Sequence, residues 1–147
     1  MTKDQVSQIR IEVETSEEKP LLLLLLDRDG TLNRKGSGFV DDKDLPFVMG
    51  MSDGSAFKWL IDNLDEEILE EDPETGPLNT YDYPDKAGIP LKFKVTFLGE
   101  KPNLIVYEFY VGSESMDTEE GLFPYFGGLV SKAVELTNEW YNNGKGK

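Results

Sequence analysis

The fold turns on the reading of LLLLLLDRDGTL, residues Leu21–Leu32. Six apolar residues in a row suit a strand covered on both faces, and they are far short of the roughly 20 needed to cross a bilayer. Asp29-Gly30 follows with two residue types that tolerate positive φ, as a tight hairpin turn requires. Thr31–Arg34 is therefore predicted to return beside the leucine strand. Upstream, Ile9, Ile11 and Val13 alternate with Arg10, Glu12 and Glu14, a period of two that predicts a half-buried strand. Ser16–Pro20 makes the turn between the two, so the first third of the chain reads as a three-stranded meander.

Past the polar Gly36–Asp44 stretch, a short extended piece is expected from Phe47 to Met51. The spacing then changes. Phe57, Leu60, Ile61, Leu64 and Ile68 recur at three and four residues, which predicts an amphipathic helix, with Ser52 or Ser55 as its cap and Pro73 as its limit. Ile89–Phe97 returns to alternation, and Leu104–Val111 is β-branched and aromatic. Gly99–Asn103 between them is too short for a crossover helix, so the pair is predicted antiparallel. Pro124 suits a first helical turn, and Leu129, Val130, Ala133, Val134, Thr137, Trp140 and Tyr141 mark one helical face that Gly144 can end. The expected fold is α+β: one domain over residues 1–147, with a mainly antiparallel sheet of about five strands, meander plus hairpin, packed by two amphipathic helices.

Composition excludes much chemistry. The chain of 147 residues has neither cysteine nor histidine, which removes disulfides, thiolate and Ser-His-Asp catalysis, and zinc sites built on sulfur or imidazole. Any metal would sit among oxygen ligands, favouring Mg²⁺ or Ca²⁺. Twenty-nine acids against fifteen bases give a net charge of −14, which opposes nucleic acid and anionic membranes and favours a basic partner. The N-terminal residues have no signal-peptide pattern, so a cytoplasmic location is expected.

The Asp27-Arg28-Asp29-Gly30-Thr31 segment after an apolar strand resembles the first motif of the haloacid dehalogenase phosphatases. That resemblance implies Asp27 as nucleophile, Asp29 as general acid/base and Mg²⁺ as cofactor, with Thr96 and Lys101 as nominees for two further motifs. Val111–Asp117 is similar to the family's acidic metal-binding pair, but Ser113 stands where its leading aspartate belongs. The resemblance also implies a doubly wound sheet with helices between parallel strands, whereas short turns join the strands expected here. A Mg-dependent phosphohydrolase is accordingly the alternative reading. An EF-hand begun at Asp27 fails, since Gly38 would occupy the position of its bidentate glutamate.

The other feature is Asp65–Glu74, seven acids in ten residues without a base. At a helix C-terminus, where the macrodipole prefers cations, such crowding is costly. Asp65, Glu66, Glu67, Glu70, Glu71, Asp72 and Glu74, followed by Tyr81 and Tyr83, are the residues expected to bind a partner, because aromatic rings among acids suit a cationic surface. The reading adopted is a non-enzymatic acidic interaction protein, such as an inhibitor or immunity-type partner of a basic protein. Leu21–Leu26 and Leu104–Val111, apolar on both faces, further point to a homodimer, opposed by the mutual repulsion of −14 per chain.

Overall fold

Eight residues, Pro20–Asp27, form strand β2, and their pairing defines the rest of the sheet. On one side lies β1 (Gln8–Thr15), antiparallel, with Ile11 opposite Leu24. On the other lies β3 (Thr31–Gly36), also antiparallel, with Leu25 opposite Asn33. The register between β1 and β2 slips at Val13/Glu14. With that bulge, Leu21, Leu22, Leu24 and Leu26 are all buried while Leu23 and Leu25 stay half-buried. A strand without a bulge would have divided the six leucines equally.

The computed structural model describes residues 1–15, 17, 19–37, 46–82, 88–100, 103–113 and 122–145, with the backbone alone at 122, 123 and 145. Beyond β3 come β4 (Phe47–Met51), α1 (Ser55–Asn63), β5 (Leu78–Asp82), β6 (Pro90–Leu98), β7 (Leu104–Gly112) and α2 (Leu122–Lys145). Short 3-10 turns occupy Lys3–Gln5 and Glu66–Leu69. The sheet has seven strands in the order β4-β3-β2-β1-β6-β7-β5. The α+β class, the meander, the β6–β7 hairpin and the two helices match expectation, but the sheet is larger and mixed. The predicted extended piece at Phe47–Met51 is a full edge strand paired with β3. Leu78–Asp82, where the sequence predicts no element, pairs parallel to β7 at the other edge. No helix among the described residues is long and apolar enough to cross a membrane.

Both helices lie on the sheet face that carries Ile9, Ile11, Leu24, Leu26, Val95, Phe97 and Phe109, and α2 contributes Phe126, Val130, Ala133, Thr137 and Tyr141 to the core. Tyr141 is fully enclosed near the end of α2, whereas the adjacent Trp140 is half-buried and donates from Nε1 to the Met51 carbonyl at 3.0 Å. The opposite face bears Arg10, Glu12, Glu14, Lys92, Lys94 and Glu108, and no described helix covers it. Lys92 lies 3.7 Å from Glu14 and 3.8 Å from Glu108 there.

Two local expectations change. Helix α1 stops at Asn63 instead of continuing through Ile68. The acids that would have crowded its C-terminus instead start a new 3-10 turn, where Asp65 accepts from Glu67 N at 3.1 Å and negative charge is favourable. Neither serine caps α1. Gly54 occupies the cap at φ +78°, Ser55 is the first helical residue, and Asp53 accepts from Ser55 N and Oγ. Those two bonds hold the Asp53 carboxyl below the usual range.

The β2–β3 turn is a hairpin of slightly different construction from the one expected. Gly30 N donates to Asp27 O at 3.0 Å, so Arg28 and Asp29 are the central residues and Gly30 follows at φ +98°. This is a three-residue loop closed by a glycine bulge. Asp29 accepts from Thr31 N at 2.9 Å, which also lowers its carboxyl pKa. A Cβ on Gly30 would stand 2.9 Å from the Ser52 carbonyl oxygen. Gly30→Val combines positive φ, β-branching and that clash, so it is expected to cost more than about 1 kcal/mol. An unchanged denaturant midpoint would count against this assignment of the turn.

Candidate functional site

Chain order places the acid run between α1 and β5, and the parallel β5–β7 pairing folds it over the end of the sheet. The result is an open cleft of about 570 Å³, lined by Asp65, Glu67, Glu70, Glu71 and Asp72 around three rings, Tyr81, Tyr107 and Tyr125. Six of the residues expected to bind a partner are thus brought together: the five acids and Tyr81. Glu66 and Glu74 belong to the same run but do not line the cleft, and Tyr83 lies outside the described residues.

Each ring is fixed from beneath. Tyr81 stacks on Phe109 at 5.2 Å with planes 14° apart. Tyr107 packs on Phe126 at 4.6 Å, and Tyr125 meets the same phenylalanine edge-on at 5.4 Å. Their hydroxyls tie the acid run down. Tyr107 donates to Ile68 O at 2.7 Å, and Tyr125 accepts from Asp65 N at 2.9 Å. Asp72 caps the following turn through Glu74 N at 2.8 Å and closes onto Gly76, whose φ is +68°. Burial pushes the Tyr107 hydroxyl up to about 12, helped by the negative charge of Asp72 and the neighbouring Tyr81 and Tyr125. That hydroxyl stays protonated and remains a donor at any ordinary pH.

Among the described residues no lysine or arginine bridges any acid of Asp65–Glu74. The N-terminal ammonium of Met1 donates to Leu69 O at 3.1 Å, within the same run. The cleft therefore gathers five carboxylates on an aromatic floor with little internal compensation, a lining suited to cationic side chains. Tyr107 and Tyr125 were missed in the sequence. The first follows the inward alternation of β7 and the second precedes the buried Phe126, so each looks like core until the acid run is laid over it.

Asp27 and Asp29 line a different cleft of about 550 Å³, with Ser7, Gln8, Arg28, Leu98 and Gly99. Asp27 accepts from Gln8 Nε2 at 2.6 Å, and Asp29 is engaged by Thr31. Among the described residues no three histidine, cysteine, aspartate or glutamate side chains gather as a metal ligand set. Asp27 shares a row with Gln8, Leu98 and Leu104, at the start of β7. The Gly112-Ser113 end is eight residues further on, roughly 26 Å along the strand. Thr96 is on β6 opposite Arg10 and does not line the cleft, while Lys101, Glu114 and Asp117 lie outside the described residues. The strand carrying Asp27 is antiparallel to both neighbours, unlike a doubly wound sheet. The described residues therefore do not fit the Mg²⁺ site that the phosphatase resemblance implies.

No family model matches the chain, and a search of the curated proteins returns no match.

Proposed function

We propose that this protein is a binding protein without catalytic chemistry that covers a basic surface of a partner protein, in the manner of an inhibitor or immunity-type partner. The observation that supports this reading is the convergence of five acids from one short run with Tyr81, Tyr107 and Tyr125 around a single cleft. A lysine or arginine of the partner entering the cleft meets carboxylates at the rim and ring faces at the floor, both favourable to a cation. The remaining charge accelerates encounter, because a −14 chain and a basic patch attract over the Debye length.

The test is capture from the native host by the wild type and by the triple variant Glu70→Gln, Glu71→Gln, Asp72→Asn, with the captured proteins identified by mass spectrometry and their affinities then measured. The expected partner is basic. It should bind the wild type at least tenfold more tightly than the variant, and the difference should shrink as salt rises. Equal binding of the partner by both proteins, or a partner without a basic surface, would sink the reading.

A further inference from the structure

The edge of the sheet farthest from the acidic cleft is β4, and no described strand pairs with its outer side. Ser52 N donates to Gly30 O at 2.8 Å, which makes Gly30 and Ser52 a hydrogen-bonded pair of the β3–β4 ladder. In an antiparallel ladder such pairs alternate, so Leu32–Gly50 and Arg34–Val48 are the next two. The main-chain N–H and C=O groups of Phe47, Met49 and Met51 must then point away from β3. The Met51 carbonyl agrees, since it takes its bond from Trp140 on that side. No described residue bonds the corresponding groups of Phe47 and Met49. Their side chains, with that of Met51, lie 54%, 67% and 64% exposed on the face away from the helices. A bare apolar edge is a template for another strand.

We propose that this edge pairs with the same edge of a second copy, β4 antiparallel to β4 about a twofold axis at Val48. With the Met51 carbonyl already taken, the register that uses the free groups sets Phe47 of each chain opposite Met49 of its partner. It forms four main-chain hydrogen bonds and places two Phe–Met pairs side by side on one face. Antiparallel pairing of a strand with itself is isologous and closes at two chains. Charge on the paired strands leaves room for a copy despite the net −14. Strands β3 and β4 contain no acid, and their only charges are Arg34 and Lys35. The acid run Asp65–Glu74 sits at the opposite edge beside β5, so these seven acids of the two copies stay far apart. The pairing joins two seven-stranded sheets into one and leaves an acidic cleft at each end.

Light scattering over a concentration series at moderate salt tests this on the full chain. The wild type should reach twice its 16.6 kDa mass. Phe47→Lys with Met49→Lys sets like charges opposite each other across the axis, and should give a single-chain mass at every concentration. Both side chains are more than half exposed, so its melting temperature reports that the fold is kept. Thr80→Lys, on the opposite edge strand, should remain dimeric. A wild type that stays monomeric up to its solubility limit overturns the proposal. So does a dimer that survives the double variant, or one that Thr80→Lys dissolves.

Discussion

Cutting the chain after Val130 is expected to abolish the cooperative melt. The cut removes Ala133, Thr137 and Tyr141, all nearly inaccessible, together with the half-buried Val134, Leu136 and Trp140. Full burial of an apolar side chain contributes about 1.5–3 kcal/mol, and a domain has only about 5–15 kcal/mol in total. The loss is worse than apolar. Arg34 is 1% exposed on the sheet beneath α2. Its Nη1 donates to Thr137 Oγ1 at 3.0 Å and to Val134 O at 3.2 Å, and its guanidinium lies 4.3 Å from the centre of the Tyr141 ring. Tyr141 also donates from its hydroxyl to Pro46 O and accepts from Gly36 N, joining the strands on either side of residues 38–45. Truncation strips a buried cation of these contacts and opens the core over β2 and β3 at once. Calorimetry or circular dichroism melts decide the matter. A truncated chain that melts cooperatively at the wild-type temperature would make the second half of α2 an appendage.

Why the sequence disclosed the meander and missed half of the site follows from the range of each signal. The period-two alternation of Ile9–Val13 and Phe93–Phe97 is local, and so are the Asp29-Gly30 turn and the three-four spacing of α1 and α2. Each was legible. Leu78–Asp82 carries no such pattern. It becomes a strand only because β7, about 25 residues later, offers a parallel edge, a pairing with no short-range signature. Because β5 was not foreseen, neither was the cleft that it borders. The acid run could be seen as anomalous, but its neighbours Tyr107 and Tyr125 read as interior rings of β7 and α2. The end of α1 at Asn63 was misplaced for a related reason. Leu64 and Ile68 continue the apolar spacing through the break, and both are buried, one beyond the helix and the other in the 3-10 turn. Periodicity alone therefore extends the helix too far.

Phe109→Ala is expected to cost about 3–5 kcal/mol, the range for deleting a buried aromatic ring and leaving a cavity. Phe109 is fully inaccessible, opposite Phe93 on β6 and Tyr81 on β5. Its ring stacks on Tyr81 at 5.2 Å and meets Phe126 of α2 at 5.4 Å. One side chain thus joins strand β6, the terminal helix and the floor of the acidic cleft. Among the described strands β5 pairs with β7 alone, so loss of the stacked ring should loosen this edge before the rest of the sheet. Two measurements separate the effects. The denaturant midpoint should fall in proportion to the lost packing. Hydrogen exchange at Asn79–Asp82 should rise by more than at the Ile9–Val13 strand, which lies two strands away from β7. Phe109→Leu, keeping volume but not the flat face, should recover most of the global stability and less of the protection in β5. Equal exchange changes in β1 and β5 would mean that the ring supports the core as a whole and has no special hold on the cleft.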